Sequence, residues 1–154
     1  EAKGILKLSQ LLRYITYEVK EDFMPLKKEI AFIKDYLYFY NKRYEDNFYL
    51  NLEIKGNIKE QKIPSLVLIH FIENVCKHGV IDDKENPAKV KIIIEKDVIK
   101  VATENKINTS EKYMDKGIGT ENIKSRMKIL FKDNYELTYN SKDNYFSTYL
   151  KMPL

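Results

Sequence analysis

The feature that most constrains this chain is a change in the period of its apolar residues near position 48. Upstream, apolar residues recur at steps of three and four, the spacing of one face of an α-helix. From Phe48 they alternate with polar residues through Leu50, Leu52 and Ile54, which is typical of a half-buried β-strand. The sequence therefore predicts a mixed fold rather than a helical bundle or an all-β domain.

Two helical segments precede this change. Residues 5–20 carry one apolar stripe, and a second stripe begins after Pro25, a residue typical of the first helical turn, and continues to Tyr44. The second stripe has the spacing of a helix–helix seam, so a core-facing helix and a coiled-coil contact between two chains both fit it. The stretch Lys20–Met24 is the candidate boundary between the first helix and the rest of the chain.

The rest of the chain is predicted to form an apolar helix, several strands and a last helix. Pro64 is expected to open the apolar helix, which runs over 65–78 and ends at Gly79. The other elements are predicted as strands at 90–94, 98–103, 135–140 and 145–152, and a helix after the glycine pair at 117 and 119. Because short turns link the later strands, the expected fold class is an α/β (α+β) two-layer sandwich, with a mixed, largely antiparallel sheet covered on one face by helices.

The chain has the size and charge of a single domain. It has 154 residues, a formal net charge of +4 from dispersed lysines, and a single cysteine, Cys76. One cysteine excludes a disulfide framework and a thiolate zinc site, and dispersed lysines do not indicate a nucleic-acid partner. No apolar stretch approaches the roughly 20 residues of a membrane span. Because the chain starts at Glu1 rather than at methionine, we expect it to be part of a longer protein.

Polar side chains cluster on one side of the apolar helix. At about 100° per residue, five of them fall within an arc of roughly 140°. They are His70, Glu73, Asn74, Lys77 and His78. An acid, an amide and a base on one face suit a ligand-binding surface. A solvated face with an i,i+4 pair between Glu73 and Lys77 fits the same pattern.

The order of the residues adds a family resemblance. Ile63-Pro64-Ser65-Leu66-Val67-Leu68, followed by Glu73-Asn74-Val75-Cys76-Lys77-His78-Gly79, resembles the "IPxLxL…ENxxKHG" signature of the Bergerat-fold (GHKL) ATPases, and specifically of sensor histidine kinases of the LytS type. Three further segments resemble that family in the same order. They are Leu8–Tyr14 ("LSxLLRY"), Pro25–Arg43 ("xLxxEIxxIxxYLxxxxxR") and Gly117–Arg126 ("GIGLxNxxxRL").

The resemblance implies an ATP-binding domain that uses Mg²⁺. In that family the asparagine of the first motif, here Asn74, helps hold the Mg²⁺ that bridges the nucleotide phosphates. The neighbouring acid, Glu73, is implied to orient or deprotonate water or the attacking group. Lys77 is expected to contact phosphate as a point charge. His78 is a further candidate for nucleotide contact, and a structural role at the helix end fits it as well.

The glycine pair at positions 117 and 119 is the other expected part of the nucleotide site. Gly117 and Gly119 permit close approach of backbone N–H groups to phosphates, and Thr120 is expected to cap the helix that follows. By analogy with the family, the polar stretch 106–116 is expected to be the lid over the nucleotide. An unspecialised surface loop also fits that stretch.

The chain departs from the family pattern at two points. Strand alternation places Asn105 where the family has an aspartate that accepts a hydrogen bond from the adenine amino group. An amide keeps one acceptor oxygen, and the lost charge should weaken the contact by on the order of 1 kcal/mol. The second departure is that no stretch matches the family's phosphorylated histidine. We therefore expect the phosphoacceptor to lie outside this chain.

The expected function is that of the ATP-binding catalytic domain of a two-component sensor histidine kinase. Residues 1–20 would be the end of a dimerisation helix and residues 21–154 the kinase domain. The resemblance implies a homodimeric parent kinase anchored in the inner or cell membrane, with this domain in the cytoplasm. It implies a response regulator as partner and no nucleic acid. The alternative is a non-catalytic signalling module on the same fold that binds ATP weakly or not at all.

Overall fold

The computed structural model describes residues 21–108 and 118–154. The helix predicted at 5–20 and most of the expected lid lie outside the described residues. The described chain divides into two compact units, one formed by the chain up to Phe48 with Ile58–Ile69, the other by Tyr49–Asn57 with His70–Leu154.

The elements follow the mixed order predicted from the sequence. In chain order they are β1 (Phe23–Pro25), α1 (Leu26–Arg43), β2 (Leu50–Lys55), β3 (Lys62–Pro64), α2 (Val67–His78), β4 (Ala88–Ile94), β5 (Val98–Lys106), α3 (Ile118–Phe131), β6 (Glu136–Lys142) and β7 (Tyr145–Pro153). Among the helices of the described residues, none is long and apolar enough to span a bilayer.

The first unit combines a two-stranded antiparallel sheet of β1 and β3 with helix α1. The backbone N–H of Leu26 donates to the carbonyl oxygen of Gln61 at 2.8 Å, and that of Ser65 donates to Asp22 at 2.9 Å. Proline at position 25 suits the helix start because it has no N–H to leave unpaired. The helix predicted after Pro25 is confirmed, and its expected apolar stripe is buried at Leu26, Ile30, Ile33 and Tyr40, whereas Tyr44 at the end of the stripe is exposed.

The second unit contains a five-stranded sheet in the order β2-β4-β5-β7-β6. The β2 and β4 strands are parallel, and the other neighbours are antiparallel. Parallel neighbours require a crossover connection, and α2 lies in the chain between these two strands. The β6–β7 turn uses Asp143 and Asn144, both at positive φ, which matches the twist of a tight hairpin. The expected mixed, largely antiparallel sheet is confirmed.

Apolar and polar side chains alternate along the strands, so one face of this sheet is apolar and is buried. In β4 the buried positions are Ala88, Val90, Ile92 and Ile94. Helices α2 and α3 bury apolar side chains in the same unit, as a helix layer over a sheet requires. These side chains are Phe71, Ile72, Val75, Cys76, Ile123 and Met127. The α/β class expected from the sequence is confirmed.

Two helix starts differ from the sequence prediction. Pro64 does not open α2: it pairs with Phe23 as the last residue of β3, and Leu66 then turns the chain at a φ of +63°. Helix α2 therefore begins at Val67. Helix α3 begins at Ile118, so Thr120 lies inside its first turn, and the expected N-cap role of Thr120 is wrong.

Candidate functional site

Helix α2 presents the two faces that its sequence predicts. Its apolar side is buried, whereas Glu73, Asn74 and His78 are partly exposed and Lys77 is exposed. An amphipathic helix of this kind is held in place by the burial of its apolar side. The polar side is therefore the candidate ligand surface.

Glu73 and Lys77 form the ion pair that their i,i+4 spacing predicts. Lys77 Nζ lies 3.4 Å from Glu73 Oε1, and the two side chains are 55% and 42% exposed, respectively. A pair this exposed contributes little to folding, typically about 0.3–0.5 kcal/mol on a helix. Both groups can thus exchange this partner for a ligand at small cost.

His70 and Asn74 also lie one turn apart on α2. Asn74 Nδ2 lies 3.4 Å from His70 Nε2, within hydrogen-bonding range. Burial lowers the pKa of His70 from 6.5 to about 4, so the imidazole is neutral at neutral pH. A neutral imidazole has one acceptor nitrogen, and that nitrogen can take an N–H of the Asn74 amide. From the sequence, His70 is one of the five polar side chains on this side of the helix and is given no role of its own.

The end of α2 is hydrogen-bonded to the segment at the end of β5. Val80 N–H donates to the carbonyl oxygen of Lys106 at 2.9 Å, and Asn108 N–H donates to that of His78 at 3.2 Å. Between them, Gly79 and Ile107 form an antiparallel bridge. These contacts place the motif that ends α2 directly beside the strand that carries Asn105.

Asn105 lies on the buried face of β5, as strand alternation predicts. It is 3% exposed, and its Nδ2 donates to the carbonyl oxygen of Lys106 at 3.1 Å. With the N–H side of the amide engaged in this way, the oxygen Oδ1 is the group that remains to accept a hydrogen bond. An amide oxygen is thus available at Asn105, the position at which the family resemblance implies a carboxylate.

The thiol of Cys76 is buried and stays protonated at neutral pH. Burial, with a smaller contribution from the charge of Glu73, raises the pKa of its thiol to about 12. Within the described part of the chain no group of three or more His, Cys, Asp or Glu side chains is arranged to hold a metal ion.

The glycine motif is only partly described. Gly117 lies outside the described residues, while Gly119 and Thr120 belong to the first turn of α3. The part of these three residues in a nucleotide site stays a prediction. The structure does bring together the other predicted group, formed by the polar end of α2 and Asn105.

The sequence is similar to histidine kinases. A family model described as histidine kinase matches residues 1–48. An uncharacterized sensor-like histidine kinase of Staphylococcus epidermidis is 32% identical over 90 residues, which are 58% of this chain and 17% of that protein. The sensor protein kinase HptS of Staphylococcus aureus is 32% identical over 75 residues, 49% of this chain and 14% of HptS. The chain therefore spans only a small part of the length of these relatives.

The fold is similar to that of histidine kinase catalytic domains. The nucleotide-free catalytic domain of histidine kinase ThkA matches with a TM-score of 0.52 at 14% identity, over 85% of this chain and 93% of that one. The histidine kinase domain of a blue-light activated kinase from Erythrobacter litoralis matches with a TM-score of 0.55 at 11% identity, over 99% and 74%. At such identities the likeness concerns the fold. The chain is thus similar in sequence to sensor histidine kinases and similar in fold to histidine kinase catalytic domains.

Proposed function

We propose that this chain is the ATP-binding catalytic part of a sensor histidine kinase of the LytS type. The observation that carries the proposal is the position of the motif Glu73–Gly79 at the end of α2. Glu73, Asn74 and Lys77 lie on the accessible side of one helix end. Hydrogen bonds from Val80 to Lys106 and from Asn108 to His78 hold that end beside the β5 residue proposed to face adenine.

The residues present fit a magnesium nucleotide. Mg²⁺ takes hard oxygen ligands and usually keeps substrate phosphates and waters in its shell, so one protein amide oxygen is a suitable contribution. Asn74 supplies that oxygen when its Nδ2 is engaged by His70. The bound Mg²⁺ would supply charge neutralisation at the nucleotide phosphates.

The charged pair of α2 has a separate proposed role for each member. Lys77, exposed at the end of the helix, would break its ion pair with Glu73 and contact a phosphate as a point charge. Glu73 would then be the carboxylate that orients the attacking group or accepts a proton from it. His78 and the glycine motif of Gly117, Gly119 and Thr120 are proposed as further nucleotide contacts.

Adenine is proposed to bind at Asn105. Its Nδ2 already donates to Lys106, which directs Oδ1 as the acceptor for the adenine amino group. Because the amide is neutral, this hydrogen bond should be weaker than one to a carboxylate.

The proposal for the longer protein follows the family. Residues 1–20 would end the dimerisation helix of a homodimer, and residues 21–154 would form the kinase domain. The parent would transfer the γ-phosphate of ATP to its own histidine, outside this chain, and then to a response regulator. It would be anchored in the cell membrane, with this part in the cytoplasm.

Nucleotide binding by the chain of residues 1–154 is the direct test. A non-hydrolysable ATP analogue with Mg²⁺ should raise the melting temperature, since a ligand at 100 times its Kd adds about 2.7 kcal/mol of stability. Asn74→Ala should abolish the Mg²⁺-dependent part of this shift. Asn51→Ala, which alters an exposed asparagine on β2, is the matched control and should bind as the unmodified chain does.

A second candidate is a non-catalytic signalling module on the same fold. The observation that favours it is Asn105, which is buried, lacks the charge of the family aspartate and donates to its own strand. If millimolar nucleotide with Mg²⁺ leaves the melting temperature unchanged, this second candidate replaces the first.

A further inference from the structure

We propose that His70 is a positioning residue, which sets the orientation of the Asn74 amide so that its oxygen faces the metal. This inference rests on the proposed function, because the metal ligand is the one proposed there. It concerns a residue that the family motif does not include. The contact that motivates it is the 3.4 Å approach between Asn74 Nδ2 and His70 Nε2.

The argument starts from the two ends of an amide. An asparagine side chain presents an oxygen that binds cations and an NH₂ group that repels them, and rotation about its last torsion exchanges the two. A ligand that turns freely offers the wrong end part of the time. A fixed acceptor on one side of the amide removes this ambiguity, because only the NH₂ group can face it.

Helix geometry places such an acceptor at His70, whose Nε2 accepts when the neutral ring carries its proton on Nδ1. Residues four apart lie one above the other on a helix, so the imidazole and the amide share one side of α2. The ring of His70 also lies edge-on to that of Phe71, with centroids 5.2 Å apart. Phe71 is itself 1% exposed, so the imidazole rests against a fixed neighbour rather than turning freely in solvent.

The charged side chains of the helix end, Glu73 and Lys77, do not take this role. Lys77 pairs with Glu73, 3.4 Å away, and an ammonium group has no acceptor to offer the amide. The described hydrogen bond of the Asn74 side chain is the one to His70. His70 is therefore the group that selects the orientation of this ligand.

Two variants separate positioning from packing. His70→Leu removes the acceptor and keeps an apolar side chain against Phe71. His70→Gln keeps an acceptor oxygen, since Gln and Asn at i,i+4 can hydrogen-bond on a helix. The affinity of a non-hydrolysable ATP analogue is measured by calorimetry for each chain, once with Mg²⁺ and once with a chelator.

The expected result is a loss confined to the metal-dependent part of binding. His70→Leu should lower the gain in affinity produced by Mg²⁺ by about fivefold, the effect of one ordinary hydrogen bond, and leave the metal-free affinity unchanged. His70→Gln should retain the gain to within about twofold. A full gain in His70→Leu, or an equal loss in both variants, would overturn the inference while leaving nucleotide binding intact.

An independent readout uses the unmodified chain without nucleotide. Nitrogen NMR of His70 should show the ring proton on Nδ1, the tautomer in which Nε2 accepts, and a proton on Nε2 would overturn the inference even if His70→Leu did not fold. If the unmodified chain binds no analogue at all, the proposed function fails and the inference fails with it. That outcome is distinct from binding that is insensitive to the variants.

Discussion

Gly79 and Asn105 approach so closely that a Cβ on residue 79 would lie 2.9 Å from Asn105 Nδ2. The same Cβ would lie 2.6 Å from the carbonyl oxygen of Val75. Real Cβ atoms do not come this near to other heavy atoms, so only glycine fits where α2 ends against β5. The glycine of the motif is thus explained by the contact between two segments, independently of any phosphate.

Gly79→Ala should therefore destabilise the fold. The methyl group must displace a backbone carbonyl and a buried amide, which typically costs about 1–3 kcal/mol. Urea denaturation followed by circular dichroism would show a lower midpoint with an unchanged slope.

The double variant Gly79→Ala/Asn105→Ala tests the cause. Removing the amide takes away the approach to Nδ2 and leaves Asn105 Cβ, 3.0 Å from the added Cβ, so the cost of Gly79→Ala should fall by about 0.5 kcal/mol in that background. Equal costs in both backgrounds would show that Asn105 does not contribute to the constraint.

Thr103 and Thr148 provide a second stability prediction. They face each other across β5 and β7, are each 4% exposed, and share a hydrogen bond between their hydroxyl groups. Thr103→Val or Thr148→Val alone should cost about 1–3 kcal/mol, because the remaining buried hydroxyl loses its partner. The double variant should cost less than the sum, since no hydroxyl is left unpaired. Additive losses in calorimetric unfolding would contradict this account.

The sheet was predictable because burial on one face repeats every second residue. Alternation through Ile99, Val101 and Thr103 correctly placed Asn105 on the buried face. The three-residue strands β1 and β3 were not predictable, since each is too short to show a period. Their pairing with each other is a long-range contact that no local pattern of residues encodes.

The candidate site was predictable only where family resemblance named the residues. Helix geometry put Glu73, Asn74 and Lys77 on one face, and the motif suggested what each would do. The contact between His70 and Asn74, on which the proposed role of His70 rests, was seen only in the structure. The i,i+4 spacing of the two residues could have indicated it from the sequence. The N-cap prediction for Thr120 failed because the glycine pair indicates a turn without fixing the residue at which α3 begins.

The Glu73–Lys77 pair should matter little for stability. Both side chains are about half exposed, so Glu73→Gln or Lys77→Ala should change the free energy of unfolding by less than about 0.5 kcal/mol. Lys77→Ala should nevertheless weaken binding of the ATP analogue if Lys77 contacts phosphate. Thermal melts and calorimetry on the same preparations check the two effects separately. A loss of stability above about 1 kcal/mol would point to a structural role for the pair instead.

His70 should make the stability of the fold depend on pH between about 4 and 6.5. Its pKa falls from 6.5 to about 4 on folding because burial disfavours the charged ring. Between these values the unfolded chain binds more protons than the folded one, so stability is present above pH 6.5 and is lost as the pH falls toward 4. The free energies of unfolding measured by urea denaturation at pH 7.5 and 5.0 should differ more for the unmodified chain than for His70→Leu. Allowing for partial exposure of the ring, the excess should be about 1 kcal/mol. Carboxylates that titrate in the same window affect both chains alike and cancel in the comparison. An identical pH dependence in the two chains would show that His70 is as easily protonated in the folded state as in the unfolded one.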